Sequence, residues 1–207
     1  MAKPRPKRPE VPDTESTPAL HTRAIADLRF IRETMAQAGS YTAFSGWGLL
    51  VVGGGALAAG LAAGRQRALM DQLYIWLADA VFSIGVGAIS STLKARAFSQ
   101  PLFAGPIRKF SLSFAPSILA GAVLTFFMLK SGIAHLLPGL WLLLYGAGLI
   151  AAGAFSVGLI PCMGVGFFAL GILALAAPAA WGNLLLTGGF ALMHIVAGAV
   201  IARRYGG

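Results

Sequence analysis

The sequence predicts an all-α polytopic membrane protein, a bundle of six transmembrane helices preceded by a cytoplasmic amphipathic helix. Apolar residues make up 57% of the 207 residues and charged residues only 11%, a balance that soluble domains of this length rarely show. The charges are also segregated. Lys130 is the only Lys or Arg between Leu112 and Ala202, and that interval contains no Asp or Glu. Six apolar runs, each near the roughly 20 residues that a bilayer core requires, account for most of the chain.

Residues 1–17 form a basic, proline-rich tail with four Lys or Arg residues and four prolines. A stretch of this composition has too few apolar residues to bury, so we expect it to be disordered. Its positive charge suits a topology signal beside the membrane, and a contact with anionic lipid or nucleic acid is the alternative. The basic residues that flank the spans explain the formal net charge of +9 better than nucleic-acid binding does, so we expect no nucleic-acid partner.

Residues 18–39 are predicted to form a juxtamembrane amphipathic helix, with Thr17 as N-cap, Pro18 at the first helical position and Gly39 as the stop. Its apolar residues recur at alternating four- and three-residue steps and therefore line one narrow stripe. The stripe consists of Leu20, Ala24, Leu28, Ile31, Met35 and Ala38. Phe30 lies off the stripe. A stripe this narrow is nearer to a coiled-coil seam than to a membrane-surface helix, and three partners stay open: the chain's own spans, another protein's helix, and lipid.

Six spans follow within residues 40–207. We place them at about 44–64, 72–92, 111–130, 137–154, 157–178 and 183–202. Pro116, Pro138 and Pro161 then fall in first helical turns, where the missing N–H group costs little. The fourth and fifth spans are joined so closely that we expect them to be antiparallel neighbours.

The basic residues that flank the spans predict the orientation. With the N-terminus in the cytoplasm, 13 Lys or Arg residues lie on the inner side and 3 on the outer side. Loops rich in Lys and Arg stay in the cytoplasm, so we expect a multi-pass protein of the inner (plasma) membrane with both termini cytoplasmic.

Small residues within the spans predict close helix packing. Ala56, Gly60 and Gly64 form a small-xxx-small row that suits contacts either within the chain or in a homo-oligomer. The stretch 46–60 also aligns without gaps on 139–153, which would relate the first span to the fourth. A repeat of three spans necessarily inverts in the membrane, so this alignment raises the hypothesis of a 3+3 inverted repeat.

Asp79 and His194 are the two ionisable residues that lie well inside the spans. Asp79 heads a polar row on one face of the second span. The row continues with Ser83, Gly87, Ser90 or Ser91, and Lys94. An isolated carboxylate at this depth is costly, so Asp79 should be protonated, hydrated or paired, and His194 is its only intramembrane ionisable candidate partner. Two interpretations stay open: a proton- or cation-linked site between the second and sixth spans, and an interhelical hydrogen bond that fixes packing.

The sequence contains no catalytic motif. G-x-S-x-G, H-E-x-x-H and P-loop patterns are all missing. The single cysteine, Cys162, excludes an intrachain disulfide and leaves too few thiols for a cysteine-based metal site. His194 has no second mid-span histidine with which to hold a haem. We therefore predict no catalytic residue, no metal and no cofactor, and the sequence favours a protein that is not an enzyme.

One string before and into the first span carries a resemblance. It comprises DLRFIRETM at 27–35, AGSYT at 38–42 and GWG at 46–48. These residues resemble the N-terminal signature of a group of uncharacterised bacterial multi-span membrane proteins with an L-R-F-I-R-x-x-M segment before the first span. The resemblance implies a membrane partner for a cytosolic winged-helix regulator. It brings no activity and assigns no functional residues.

Two functions therefore remain as hypotheses. In the first, the protein is a non-enzymatic scaffold or regulatory subunit in the lipid bilayer, which docks a cytosolic or membrane protein partner through helix 18–38. Leu28, Phe30, Ile31 and Met35 are the predicted docking residues. In the second, the protein is a small-solute or ion transporter or channel. Its intramembrane polar site would then consist of Asp79, Ser83 and His194.

Overall fold

The fold is taken from a computed structural model of the chain, which divides into two units, Met1–Gln37 and Ala38–Gly207. The structure describes residues 22–23, 25–30, 45–97, 106–154 and 156–204. In the first unit the described residues are helical and exposed. They fall inside the predicted amphipathic helix 18–39. The rest of that helix and the predicted tail 1–17 lie outside the described residues.

The described part of the second unit is all-α. Its helices are α1 (Gly46–Ala63), α2 (Leu69–Ala97), α3 (Pro106–Lys130), α4 (Leu137–Gly153), α5 (Leu159–Ala176), α6 (Gly182–Thr187) and α7 (His194–Arg204), with a π-helical segment (Gly188–Met193) between the last two. We call α6, the π-helical segment and α7 together the sixth span. In the described ranges, six stretches are long and apolar enough to cross a membrane, which confirms the predicted count and indicates a multi-pass membrane protein.

The observed spans lie within a few residues of the predicted ones. The second span, predicted at 72–92, runs from Leu69 to Lys94, and the sixth, predicted at 183–202, belongs to a stretch from Ala179 to Arg204. Both helices extend beyond the apolar runs and end in basic residues, Lys94 and Arg96 in the second and Arg203 and Arg204 in the sixth.

Prolines and one glycine mark the helix ends, with one exception. Pro138 and Pro161 lie in the first turns of α4 and α5, as predicted. Gly132 has φ of +73° in the turn after α3, a conformation that glycine adopts without steric cost. The prediction for Pro116 is wrong. Because α3 begins at Pro106, Pro116 lies inside that helix.

The sixth span lies among α1, α4 and α5, and these elements form the centre of the bundle. Helix α2 packs on α1 at one margin, and α3 packs on α4 at the other. No residue in the most apolar stretch of α2 is buried. The two helices that are consecutive in the chain therefore lie against different neighbours, and most of the surface of α2 is left uncovered by the described part of the bundle.

Glycines spaced seven residues apart allow the central helices to approach closely. They are Gly46, Gly53 and Gly60 on α1, which face the sixth span, and Gly139, Gly146 and Gly153 on α4, which face α5. A Cβ atom on Gly53 would lie 2.7 Å from the Ile195 side chain. Because lipid gives apolar helices no drive to associate, such close contact is a main source of stability here. Gly60 and Gly64 of the small-xxx-small row approach Thr187 and Asn183, so this row packs within the chain.

A 3+3 repeat would make the first, second and third spans equivalent to the fourth, fifth and sixth. The aligned glycines of α1 and α4 do not face equivalent spans. Gly53 faces the sixth span, so its aligned residue Gly146 should face α3, but it faces α5. Gly55 faces α2, so Gly148 should face α5, but it lies against Phe114 of α3. The alignment therefore reflects a shared close-packing pattern, and the hypothesis of a 3+3 inverted repeat is not supported.

Candidate intramembrane site

His194 is fully enclosed at the start of α7, with 2% of its surface exposed. Its Nδ1 atom lies 2.8 Å from the Phe190 carbonyl oxygen, and its Nε2 atom lies 2.8 Å from the Tyr145 hydroxyl. Because a carbonyl oxygen can only accept, Nδ1 carries the proton and donates a hydrogen bond to the Phe190 carbonyl oxygen. In the neutral imidazole Nε2 must then accept from the Tyr145 O–H group. The structure thus fixes both the tautomer of His194 and the direction of its hydrogen bonds.

Aromatic rings surround the His194 imidazole. The ring centroids of Tyr145, Phe167 and Phe190 lie 5.6, 5.7 and 6.0 Å from that of His194. Tyr145 in turn meets Phe114 of α3 edge-on at 5.2 Å. Both polar atoms of the imidazole are satisfied inside an apolar shell, an arrangement typical of a hydrogen bond that holds two helices together. Here it joins α4 to the sixth span.

Asp79 lies half-buried on the side of α2 that meets α1. A Cβ atom on Gly55 would be 3.0 Å from its Oδ1 atom and 2.9 Å from the Phe82 ring. Asp79 is ten residues into α2, about 15 Å along the axis, which is roughly half of a hydrocarbon core about 30 Å thick. Among the described residues, none forms a hydrogen bond or an ion pair with its carboxylate. This carboxylate is therefore a half-buried polar group without a partner in the described part of the chain.

The structure does not join Asp79 to His194. Both imidazole nitrogens are used by Tyr145 and Phe190, so neither is left to bond the carboxylate. The predicted pair therefore does not form as a direct hydrogen bond. Residue spacing could place the two groups at similar depths, but it could not show how each helix is rotated about its own axis.

A second polar group lies unsatisfied one turn beyond Asp79. The Ser83 Oγ atom is buried and has no hydrogen-bond partner in the part of the chain that the structure describes. Gly87, one turn further, is partly buried, and a Cβ atom there would meet no atom within 4 Å. Trp76 and Lys94 lie on the same helical face, because the steps between these four residues are seven, four and seven. We call Trp76, Ser83, Gly87 and Lys94 the inner face of α2.

Both ends of the inner face of α2 are covered by protein. At one end the Trp76 indole N–H donates to Asn183 Oδ1 at 3.0 Å, and its ring lies 6.2 Å from that of Phe190. At the other end Lys94 is only 8% exposed. Between these ends lie the unsatisfied Ser83 hydroxyl and the open space at Gly87. The middle of the face therefore has a polar group that lacks a partner among the described residues and, one turn away at Gly87, open space.

Asn183 links three spans near the Trp76 end. Its side chain accepts from Trp76 of α2 and donates from Nδ2 to the Gly60 carbonyl oxygen of α1 at 3.0 Å. Sequence reasoning missed Asn183, Trp76 and Tyr145. A lone amide at the start of an apolar run was the available signal for Asn183, because such a group requires partners in a membrane. Tyr145 offered no comparable signal, since tyrosine is common near apolar surfaces.

The remaining predictions concern metals and docking residues. Within the described ranges, no cluster of three or more His, Cys, Asp or Glu residues could hold a metal ion. Leu28 and Phe30 are 66% and 69% exposed, whereas Ile31 and Met35 lie outside the described residues. Comparisons of the chain with protein-family models, with curated proteins and with solved structures found no match.

Proposed function

We propose that the protein is a transporter or channel for a small solute, which binds between α2 and the rest of the bundle at Asp79 and Ser83. The observation that carries this proposal is the buried Ser83 hydroxyl, which, like the Asp79 carboxylate one turn away, has no partner among the described residues. A buried polar group left unsatisfied costs about 1–3 kcal/mol. Water or a polar solute beside the inner face of α2 would remove that cost, and the space at Gly87 offers room for it.

His194 takes a supporting part in this proposal. Since its two hydrogen bonds leave no free nitrogen, we assign it to the contact between α4 and the sixth span. The packing interpretation accounts for His194 and Tyr145. It does not account for Asp79 and Ser83, whose polar atoms have no protein partner among the described residues.

Cysteine accessibility tests whether the inner face of α2 meets water. In a Cys162→Ser background, Ser83→Cys and Gly87→Cys are treated in membranes with a charged, membrane-impermeant methanethiosulfonate reagent. Modification is read as protection from a later gel-shifting maleimide. The matched controls are Val81→Cys and Ile84→Cys on the same helix, whose native side chains are 71% and 67% exposed.

We expect Ser83→Cys and Gly87→Cys to react and both controls to stay unmodified. The controls face hydrocarbon, where the reactive thiolate does not form and the reagent does not enter. If reactivity followed exposure on the bare protein surface, the two controls would react first, so the result separates a hydrated groove from an ordinary surface. If Ser83→Cys and Gly87→Cys remain as unreactive as the controls, the inner face is dry and the proposed function is wrong.

A second candidate function is a scaffold that docks a partner through helix 18–38. It is favoured by the helical residues 25–30, in which Leu28 and Ile25 are 66% and 49% exposed. Apolar side chains exposed on a short helix are typical of a helix that binds in a partner's groove. A pull-down from solubilised membranes should lose its partner on Leu28→Asp and keep it on Ala26→Asp, which lies off the predicted stripe. Equal recovery with both variants would contradict docking.

A further inference from the structure

We propose that the solute bound at Asp79 and Ser83 is a monovalent organic ammonium ion with an apolar body. This inference rests on the proposed function and names the chemical class of its ligand. It follows from three properties of the site: its single negative charge, the rings next to the carboxylate, and the unpartnered hydroxyl one turn away.

The charge of the site suits one monovalent cation. Asp79 is the last acidic residue in the sequence, and the other acidic residue of α2, Asp71, lies in its first turn. Divalent metals require several oxygen ligands, commonly two or more of them from carboxylates. The α2 side chains near Asp79 supply one carboxylate and one hydroxyl. An anion would meet the Asp79 charge without a compensating cation in the middle of the span.

The rings beside Asp79 suit an organic cation better than a bare metal ion. Trp76 and Phe82 lie three residues before and three residues after Asp79, one helical turn away on either side. The Phe82 ring and the Asp79 carboxylate both lie against Gly55. The phenyl face of Phe82 can attract an ammonium group through a cation–π interaction, which strengthens when water is excluded. Rings supply no oxygen ligand to a sodium ion, which must recover its lost hydration.

The Ser83 hydroxyl points to a cation that carries N–H groups. Its oxygen is buried and has no partner within the described ranges, so it can accept from an ammonium N–H while the Asp79 carboxylate accepts from another. A quaternary ammonium ion has no N–H group and would leave Ser83 unsatisfied. The open space at Gly87 gives room for an apolar body along α2. The site therefore favours a primary or secondary ammonium over its trimethylated analogue.

Direct binding to the purified protein in detergent tests this assignment. The probes are tritiated phenethylammonium, its N,N,N-trimethyl analogue, and sodium-22. We expect saturable binding of phenethylammonium that falls about tenfold or more on Asp79→Asn, since a charge-assisted hydrogen bond and the neutralising charge are lost together. The matched control is Asp71→Asn, which removes an exposed carboxylate from the same helix and should leave binding unchanged.

Ser83→Ala distinguishes the two ammonium probes. It should weaken phenethylammonium binding several-fold and leave binding of the trimethyl analogue unchanged, because only the former donates to Ser83. Asp79→Glu, which keeps the charge, should restore part of the binding lost in Asp79→Asn and so excludes misfolding as the cause. Equal phenethylammonium binding by Asp79→Asn and the parent protein would overturn the assignment.

Sodium-22 separates failure of this inference from failure of the proposed function. If the parent protein binds sodium-22 in an Asp79-dependent manner and does not bind phenethylammonium, the ligand class is wrong, while the solute site stands. If Ser83→Cys and Gly87→Cys are also inaccessible to the charged thiol reagent, the site itself is wrong and both proposals fall.

Discussion

Replacing Gly146 with alanine tests the close packing of α4 on α5. A Cβ atom at Gly146 would lie 2.7 Å from both the Gly164 carbonyl oxygen and the Phe168 backbone nitrogen. Ordinary contacts of a Cβ atom begin at 3.4 Å, so the two helices must separate locally by about 0.7 Å. The atoms in the way belong to backbone, and no rotamer change can relieve the clash. Overpacking of this kind costs typically about 1–3 kcal/mol.

Gly54→Ala is the matched control for this substitution. Gly54 also lies inside a span, but a Cβ atom there would meet nothing within 4 Å. The same methyl group is added in both variants, so any difference between them measures contact with the neighbouring helix. Unfolding is followed by titration with SDS in mixed micelles, with helicity from circular dichroism as the readout. We expect Gly146→Ala to lower the free energy of unfolding by about 1–3 kcal/mol and Gly54→Ala to leave it unchanged or raise it.

The α4–α5 contact is wrong as described if Gly146→Ala and Gly54→Ala unfold at the same SDS fraction. Gly164→Ala offers a check from the facing helix, since its Cβ atom would lie 2.8 Å from the Gly146 carbonyl oxygen. The double variant should cost less than the sum of the single ones, because one separation of the helices relieves both clashes.

Three further predictions follow from the hydrogen bonds and the charges. Tyr145→Phe removes the donor to His194 Nε2 and leaves that buried nitrogen unsatisfied, so it should lower the free energy of unfolding by about 1–3 kcal/mol in the SDS titration. Trp141→Phe removes the indole that donates to the Thr125 hydroxyl. It should lower the free energy of unfolding less, because Thr125 keeps its own hydrogen bond to the Gly121 carbonyl. Asn183→Leu should loosen the contact of α2 with the sixth span, because it removes the acceptor of the Trp76 indole and the donor to the Gly60 carbonyl. In a variant that lacks the other three tryptophans, Trp76 fluorescence should then shift to longer wavelength and be quenched more strongly by acrylamide. An unchanged spectrum would contradict the link. Both termini are predicted to be cytoplasmic, so fusions of green fluorescent protein at either terminus should fluoresce in bacteria. Fusions of alkaline phosphatase at the same points should be inactive. The reverse pattern would overturn the orientation argued from loop charge.

Part of the candidate site was predictable from residue type and spacing. Asp79 and Ser83 could be singled out because polar groups in an apolar run are costly and because their spacing places them on one helical face. The neighbour of Asp79 on α1, Gly55, could not be identified this way. A glycine in a Gly-rich span has many possible partners, and only the packing of α1 on α2 shows which one lies beside the carboxylate.

Sequence spacing offered Asp79 as the candidate ionisable partner of His194, whereas the structure gives His194 two other partners. Asp79 was the only other ionisable group inside the spans, but a buried imidazole needs hydrogen-bond partners and not an opposite charge. Tyr145 and the Phe190 carbonyl meet that need at 2.8 Å each. The Phe190 carbonyl belongs to the π-helical segment that precedes α7, and no spacing rule applied to the sequence marked that segment.

Hydropathy and charge, read from the sequence alone, determined that this chain has six segments long and apolar enough to cross a membrane, and they predict the side on which its termini lie. Both depend on the transfer of each segment from water to lipid, which is nearly independent of the other segments. The tertiary structure alone decided that α2 and α3 lie against different neighbours, that the glycines of α1 and α4 face non-equivalent spans, and that Asp79 and His194 are not hydrogen-bonded to each other. These features depend on how each helix is rotated against its neighbours, and lipid-facing and helix-facing surfaces are equally apolar, so the sequence pattern carries little information about that rotation.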